Sequence, residues 1–541
     1  MLDDKNRSLR TKLTFGSDAR SKILEGAEMT SRAVGSTMGP RGRTVLIKRQ
    51  DQLPLLTKDG VTVSQAIHLK GELLDMGAQL TKEAATRTND VAGDGTTTAT
   101  VLTSALMRTG NTLIEEGHDQ TEIARSLQDI SDKVITGLKR HAREITSRSD
   151  IVSVGTISAN GDSSIGELIA DAMTRVDRDG TITVEDAKGM TTSLEVVNGT
   201  QVGRGYVSPY FVTDNEKMHV VYEDALVFIT DKKISVLNDI ITPLEVANKA
   251  GRPILIIADE IESEALQALV INKTRANLRV CAIRAPGFGD LKADILQDLA
   301  VLAGTEVASA TTGLNAGDFG FSADSKAKLG VVKKFISTTK STTLVATPET
   351  SARVSERLDY IRSKVAEAVV IGSKQLTDAL SHRLASLAGG VAIIKVGGST
   401  EIEMIERRHR IEDALSATRA AVEEGIIPGG GTALMNIVSE LTPFTKNVIE
   451  STLLNAFTVP WTRIITNSGE CLEDVTKTLA SATSSFVGSS IGWDADRSRV
   501  CDLFEAGIID PLKVTRVAVE NAASIAISFI TMDAAITEED T

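Results

Sequence analysis

The chain is poor in aromatic residues and in cysteine, and each shortage excludes a class of protein. Aromatic residues make up 3% of the 541 residues. So few cannot supply the base-stacking platforms with which many proteins read single-stranded RNA. The three cysteines, Cys281, Cys471 and Cys501, have no paired metal-ligand spacing. Their odd number favours reduced thiols over a disulfide framework, which predicts a cytoplasmic protein.

The chain also lacks segments suited to a membrane or to nucleic acid. Its longest apolar runs, such as residues 254–258, are far shorter than the roughly 20 residues that span a bilayer. Residues 1–15 mix acids and bases and have no apolar centre, so they do not form a signal peptide. The formal net charge of -13 opposes binding to nucleic acid and to anionic membranes. We therefore expect neither as a partner.

The order of helical and β-rich segments predicts a fold with an insertion. A chain of 541 residues is too long for one hydrophobic core, so two or more domains are expected. Helical segments are predicted at 78–89 and 97–107, because they lack proline and glycine. A further helix is predicted at 411–424, because that run is strongly amphipathic. Between them, β-rich runs alternate with helical segments such as 262–277, which predicts an α/β domain. The β-rich runs are residues 181–185, 225–230, 253–258 and 279–283.

The strongest signal for phosphate binding is VAGDGTTTAT at residues 91–100. Gly93 and Gly95 let the backbone approach a ligand, and the threonines at 96–98 then open a helix. The free N–H groups and positive dipole at a helix start suit phosphate. Asp94 beside phosphate would be repulsive without a cation between them, which implies Mg²⁺. Taken alone, the segment fits an ordinary turn with a threonine cap equally well, and it is not a Walker A loop.

Three further turns contain glycine in similar settings. They are TMGPRGR at 37–43, TKDG at 57–60 and EGIIPGGG at 424–431. Three successive glycines are costly in chain entropy and usually mark a place where something lies against bare backbone. Asp59 offers another carboxylate in a tight turn. Taken alone, the turn at 37–43 is also compatible with an ordinary helix C-cap.

With these turns and three other motifs, the chain resembles group I (bacterial-type) chaperonins along nearly its whole length. The other motifs are RGYVSPYF at 204–211, APGFGD at 285–290 and DPLKVTR at 510–516. The resemblance implies a multidomain α and α/β fold in three domains. These are an equatorial ATPase domain (1–140 and 424–541), an intermediate domain (141–198 and 391–423) and an apical substrate-binding domain (199–390). It implies an ATP-dependent, ring-forming subunit that encloses non-native polypeptides and assists their folding.

The resemblance also implies the residues that handle ATP. Those expected to bind the nucleotide are Thr37, Met38, Gly39, Pro40, Lys58, Gly95, Thr96, Thr97, Thr98, Gly430, Asp494 and Asp510. Asp94 would carry Mg²⁺, Lys58 would lie on the side of a K⁺ ion, and Asp510 would meet the ribose. Asp413 and Asp59 would be the catalytic carboxylates, with Asp413 positioning or activating the attacking water.

The helical pattern around Asp413 agrees with that role. Apolar or small residues form one stripe at helical spacing, namely Ile411, Ala414, Leu415, Thr418 and Val422. Asp413 lies off this stripe, so its own helix does not bury it. A solvated carboxylate on an exposed face is the commoner fate of a helical aspartate, and only the resemblance overrides that interpretation. It implies that Asp413 acts when the intermediate domain closes.

The same resemblance implies an exposed apolar surface for unfolded polypeptides, which would be abnormal on a monomer. The residues expected there are Tyr206, Tyr210, Phe211, Ile241, Leu244, Leu266, Val270 and Ile271. Ile271 lies about 100° around its helix from Val270, which suits a groove, although a second buried face would explain it too. In relatives this groove also binds a lid-like co-chaperonin. Gly199 and Gly390 would be hinges of the apical domain or, alternatively, ordinary turns.

Several positions depart from the family pattern. Asp494 stands where relatives commonly carry an asparagine near the adenine. Thr462 and Cys471 replace an ion pair expected between rings, and Glu473 with Asp474 adds acidic charge there. We expect a homo-oligomeric, seven-membered ring, while single and double rings both stay open. These departures favour a specialised viral or accessory copy. A passive ring that holds unfolded protein without productive cycles is the alternative function.

Overall fold

The structure is a computed structural model of the chain. It describes residues 11–48, 54–159, 161–176, 181–187, 189–215, 218–287, 289–320, 327–371, 373–482 and 489–538. The chain forms two compact units, Met1–Ala170 with His409–Thr541, and Asp171–Arg408. One unit is therefore an insertion into the other, as the sequence pattern predicts. Both boundaries fall inside the segments expected to form an intermediate domain, and the three-domain division stays a prediction.

The first part of the chain is mainly helical. Its elements are β1 (Thr11–Phe15), α1 (Gly16–Gly35), β2 (Val45–Ile47), β3 (Leu55–Thr57), α2 (Gly60–Ala66), α3 (Glu72–Ala92), α4 (Thr96–Glu115), α5 (Gln120–His141), α6 (Arg148–Ser158) and α7 (Ser163–Arg175). The helix predicted at 78–89 lies in the middle of α3 and that predicted at 97–107 forms the first half of α4, so both are confirmed. Gly93 follows the last residue of α3, and Gly95 precedes the first residue of α4.

The inserted unit alternates strands and helices. Its elements are β4 (Thr181–Asp186), β5 (Ser193–Val197), β6 (Gly199–Val202), β7 (Val220–Ile229), β8 (Lys233–Ile234), α8 (Ile241–Ala250), β9 (Ile254–Ala258), β10 (Glu260–Ile261), α9 (Ser263–Ala276), β11 (Val280–Arg284), α10 (Gly289–Ala303), β12 (Gly330–Ser337), β13 (Thr342–Ala346), α11 (Ser351–Ile371), α12 (Lys374–Ala388) and β14 (Val391–Val396). The four predicted β-rich runs correspond to β4, β7, β9 and β11, which confirms an α/β unit.

A mixed six-stranded sheet forms the centre of the inserted unit. Its order is β11-β9-β7-β12-β13-β6, and a second sheet has the order β4-β14-β5. Strands β11, β9 and β7 run parallel. Every residue of β9 is buried, as expected for a parallel strand covered on both faces.

The last part of the chain returns to helices. Its elements are α13 (Glu401–Glu424), β15 (Ile426–Pro428), α14 (Thr432–Leu441), α15 (Val448–Ala456), α16 (Val459–Ser468), α17 (Leu472–Ala482), β16 (Ile491–Asp494), β17 (Arg499–Asp502), β18 (Ile509–Pro511), α18 (Leu512–Ile530) and β19 (Ala534–Glu538). β19 pairs antiparallel with β1, and β15 pairs antiparallel with β18. The β1–β19 pair joins the two ends of the chain within one unit.

The core of the helical unit holds the start of α4 in place. Leu102 and Leu106 of α4 are fully buried in one cluster with Phe529 of α18. α18 packs against α3, α4 and α5. Because large apolar side chains fix α4 just beyond its first turn, the position of that turn is set by the core. Among the described residues, no helix combines the length and apolar character needed to cross a bilayer.

Candidate functional site

The connection between α3 and α4 is built from left-handed glycines. α3 ends at Gly93, which has φ 70°, and α4 begins after Gly95, which has φ 85°. The N-cap residue of α4 is Gly95, which has no side chain to cap the first turn of the helix. Its leading N–H groups therefore remain available to an anion. Between the glycines, the Asp94 carboxylate accepts a hydrogen bond from the N–H of Gly95 at 2.5 Å.

Two helices pack directly on this connection. A Cβ added to Gly93 would lie 2.3 Å from the Cβ of Ser416 on α13. One added to Gly95 would lie 2.6 Å from Cγ1 of Val514 on α18. Glycine is therefore required at both positions for two reasons, namely the positive φ and the close approach of a neighbouring helix. The turn is held between α13, which carries Asp413, and α18.

Asp59 stands beside the start of α4. It is the N-cap of α2, where it accepts hydrogen bonds from the N–H groups of Val61 and Thr62 at 3.1 and 2.8 Å. The next residue, Gly60, lies so close to α4 that an added Cβ would be 2.2 Å from Oγ1 of Thr97. Asp59 is thus a helix N-cap, which the sequence analysis did not anticipate, and it also lies beside the turn predicted to bind phosphate.

The expected placement of Asp413 is confirmed in one respect, because its helix buries the predicted stripe and leaves Asp413 off it. Four of the five stripe residues are buried, namely Ile411, Ala414, Leu415 and Thr418. Burial raises the pKa of Asp413 well above its usual range, and the negative charges of Asp94 and Asp59 add to this effect. Burial likewise raises the pKa of Asp94, with a contribution from Asp59. The three carboxylates therefore share one electrostatic environment.

This environment fits a divalent cation shared with a phosphate. In the part of the chain that the structure describes, no group of three or more His, Cys, Asp and Glu side chains is arranged to hold a metal alone. Asp94 can supply one oxygen, and Mg²⁺ usually completes its shell with phosphate oxygens and water. A positive ion would also relieve the mutual repulsion of the carboxylates. Lys58 is exposed next to Asp59, and its expected relation to K⁺ stays a prediction.

Asp510 shapes the glycine-rich turn at 429–431. It lies opposite Ile427 in the β15–β18 pair and accepts hydrogen bonds from the N–H groups of Gly430 and Gly431. Burial raises the pKa of Asp510 to about 7, and the charge of Asp94 contributes, while the two N–H groups oppose the rise. Gly430 has φ 63° and open space where a Cβ would stand. A ligand can therefore approach its backbone.

The first glycine turn is fixed by a residue that carries no sequence signal. Thr37 and Met38 are buried, while Gly39 and Pro40 are exposed. Asn467, near the end of α16, donates from Nδ2 to the backbone oxygen of Met38 at 2.9 Å. Sequence reasoning missed Asn467 because it belongs to no motif and lies more than 400 residues from its partner.

The residues expected to bind polypeptide fall into three classes. Tyr210, Ile241 and Ile271 are exposed, and the exposed fraction of Tyr210 is 70%. Leu266 and Val270 are partly buried against the core of the inserted unit.

The remaining three, Tyr206, Phe211 and Leu244, are buried, so their expected exposure is wrong. Phe211 and Leu244 lie in the core of the inserted unit. Tyr206 pairs with Ile283 in an isolated β-bridge, and its hydroxyl donates to the backbone oxygen of Met218. These side chains act as anchors because their apolar surface is already covered within the chain.

Comparison with known proteins identifies the family. The model of the TCP-1/cpn60 chaperonin family matches residues 30–540. The chain belongs to this chaperonin family. The expected family is thereby confirmed.

Solved structures of one chaperonin share its fold. The chaperonin gp146 from bacteriophage EL 2 (Pseudomonas aeruginosa), in the presence of ATP-BeFx, matches with a TM-score of 0.69 in crystal form II. That match has 22% identity and covers 99% of this chain and 100% of the phage chain. Crystal form I gives a TM-score of 0.63 at 22% identity, over 98% and 99% of the two chains.

In the present chain, Asp494 forms hydrogen bonds within its own β-hairpin, which consists of β16 and β17. Its carboxylate accepts hydrogen bonds from the N–H groups of Asp496 and Arg497, both at 3.1 Å. Nε of Arg499 lies 3.7 Å away. With 3% of its surface exposed, Asp494 stabilises the turn between β16 and β17. Its contact with the adenine stays a prediction.

The two expected hinge glycines have different structural requirements. Gly390 has φ 65° immediately before β14, which glycine adopts without strain. Gly199 has no positive φ, but an added Cβ would lie 2.6 Å from both the Leu344 oxygen and Cγ2 of Val391. Close packing therefore explains glycine at 199, and the hinge role of both residues stays a prediction.

The departures at the expected ring contacts lie on α16 and at the start of α17. Cys471, Glu473 and Asp474 are exposed, and Thr462 is partly exposed. Glu473 and Asp474 belong to the first turn of α17, where acidic side chains interact favourably with the helix dipole. Their charge therefore has a local explanation, which leaves single and double rings open.

Proposed function

We propose that this chaperonin binds non-native polypeptides, encloses them in a ring and uses ATP hydrolysis to assist their folding. The observation that carries the proposal is the meeting of Asp59, Asp94 and Asp413 around the uncapped start of α4. A protein that only held unfolded polypeptides would not need these three carboxylates. The ATP-BeFx present with gp146 supports a nucleotide site in a protein of this fold.

Each residue of the site would have a defined task. The N–H groups and hydroxyls of Thr96, Thr97 and Thr98 would hold phosphate oxygens. Mg²⁺ on Asp94 would neutralise charge on the phosphates. Asp413, whose pKa is raised by burial and by the charges of Asp94 and Asp59, would orient the attacking water and accept its proton. Asp510 would keep the glycine turn open to the nucleoside.

Substitution of Asp413 tests this assignment. We expect Asp413→Ala to bind ATP with nearly normal affinity and to lose turnover by about 10²- to 10⁴-fold, as for other proton-transfer groups. Binding and steady-state hydrolysis are measured on the same preparation. Asp129→Ala, on an exposed face of α5, is the matched control. Near-normal turnover in Asp413→Ala would remove Asp413 from the mechanism.

Refolding of a denatured client separates the folding machine from the passive holdase. We expect ATP-dependent recovery of client activity, tested with and without a lid co-chaperonin. Exposed Tyr210, Ile241 and Ile271 support capture of apolar segments, which both functions require. Suppression of aggregation without ATP-dependent recovery would favour the holdase.

Self-association is supported by two exposed β-ribbons. Leu46 and Leu56 face each other across the β2–β3 ribbon, and Leu13 faces Ile536 across the β1–β19 ribbon. All four side chains are exposed. Open strand edges with apolar side chains favour pairing with another chain. Electron microscopy with and without nucleotide would establish whether the copies form a seven-membered ring and whether two rings pair.

A further inference from the structure

Lys273, in the last turn of α9, directs its ammonium group at backbone oxygens instead of solvent. Its Nζ donates to the oxygen of Phe211 at 2.5 Å and to that of Val212 at 3.1 Å. Burial lowers the pKa of Lys273. No carboxylate among the described residues forms an ion pair with it. The lysine therefore exchanges hydration for two bonds to one short segment.

That segment is a 3₁₀ turn that displays one tyrosine. The turn covers Pro209–Phe211 and is capped by the side chain of Ser208. Its last backbone bond joins the Val212 N–H to the Pro209 oxygen at 3.0 Å. Phe211 is buried beneath the turn, whereas Tyr210 is 70% exposed. Lys273 thus binds the end of the turn, directly after the displayed side chain.

On α9, Lys273 continues a row of apolar residues. Leu266, Val270 and Lys273 follow one another at helical spacing, so they lie on one face. Leu266 and Val270 are partly exposed along this face. The face ends where Lys273 binds the turn, which places Tyr210 next to the apolar row.

We propose that Lys273 is a positioning residue that holds Tyr210 at the end of the Leu266–Val270 row, so that these side chains present one continuous surface to a non-native polypeptide. The inference rests on the proposed chaperonin function. A surface fixed in advance binds more tightly because less conformational entropy is lost on binding. Tyrosine suits such a surface because it offers a large apolar face with a polar end.

A double-mutant cycle tests this role. Lys273→Met keeps the apolar stem but removes the ammonium group, and Tyr210→Ala removes the displayed ring. Binding of a permanently unfolded probe, reduced and carboxymethylated lysozyme, is measured without nucleotide. We expect Tyr210→Ala to weaken binding about tenfold, as for a principal contact residue. Lys273→Met should weaken it roughly threefold to fivefold.

The decisive measurement is the combined variant. If Lys273 acts through Tyr210, the double variant binds no more than about twofold more weakly than Tyr210→Ala alone. Hydrogen exchange of the Val212 amide should accelerate in Lys273→Met, because the turn is no longer held. Lys249→Met, at an exposed lysine on α8, should change neither quantity.

The possible failures are distinct. Equal weakening by Lys273→Met in the wild-type and Tyr210→Ala backgrounds would show that Lys273 acts only on general stability, which overturns the inference. Normal binding by Lys273→Met alone would overturn it as well. Normal binding by Tyr210→Ala would overturn both the inference and the proposed polypeptide surface at this turn.

Discussion

The contact between Gly93 and Ser416 makes the turn proposed to bind phosphate sensitive to a single methyl group. In Gly93→Ala the new Cβ would lie 2.3 Å from the Cβ of Ser416, where ordinary contact begins at 3.4 Å. The left-handed φ adds roughly 1–2 kcal/mol for alanine, and overpacking adds about 1–3 kcal/mol. Relief of the overlap requires α13 to move from the turn by about 1 Å or more.

Because α13 carries Asp413, this movement should reach the chemistry. Misplacement by about 1 Å can reduce a catalysed rate about 10²-fold. We therefore expect Gly93→Ala to reduce kcat for ATP hydrolysis by about that factor. The assay is steady-state hydrolysis, with nucleotide affinity measured separately by equilibrium binding.

Two variants separate the steric effect from the backbone effect. Gly93→Ala combined with Ser416→Gly removes the overlapping side chain and should restore most of kcat. Gly117→Ala introduces only backbone strain, because Gly117 has φ 94° and no atom lies within 4 Å of an added Cβ. This variant should retain normal kcat. Normal turnover in Gly93→Ala, or no recovery in the double variant, would refute the reasoning.

Two further predictions concern stability. Because the folded pKa of Asp510, about 7, exceeds its unfolded value of about 3.9, its contribution to stability is present below pH 4 and lost as pH rises to 7. Urea titrations should show this loss in wild type relative to Asp510→Asn, and a parallel pH dependence would contradict it. Arg383 (5% exposed) and Asp298 (6% exposed) form a double hydrogen bond. Arg383→Met should cost about 2 kcal/mol, because Asp298 keeps its hydrogen bond from Arg357. Exposed Arg362→Met should cost less than about 0.5 kcal/mol in the same denaturation assay.

Local features of the fold could be predicted from the sequence because they depend on neighbours along the chain. The stripe of α13 and the off-stripe position of Asp413 follow from helical spacing alone. Three of the four β-rich runs, those of β7, β9 and β11, were recognisable because buried strands in a parallel sheet are continuous apolar runs. Gly93 marks the end of α3 and Gly95 the start of α4, because glycine readily adopts the left-handed conformation found there.

The candidate site could not be assembled from such patterns. Asp59, Asp94, Asp413 and Asp510 lie far apart in sequence, and each is an unremarkable acid in its own segment. Only the family resemblance brought them together as a prediction. The structure adds information that sequence spacing does not contain. Asp59 is held as a helix cap, Asp94 lies between two closely packed glycines, and Asp510 lies in a strand pair.

The apolar surface shows a different limit of sequence reasoning. Tyr206, Tyr210 and Phe211 belong to one motif and have the same apolar character, yet only Tyr210 is displayed. The chain enters a 3₁₀ turn at Pro209 and forms neither a regular α-helix nor a strand there. Sequence periodicity therefore does not separate the buried side chains from the exposed one. The distinction comes from tertiary bonds, among them those of Lys273, a polar residue outside the motif. A residue that organises an apolar surface therefore need not be apolar, and in this chain it is a lysine that binds backbone.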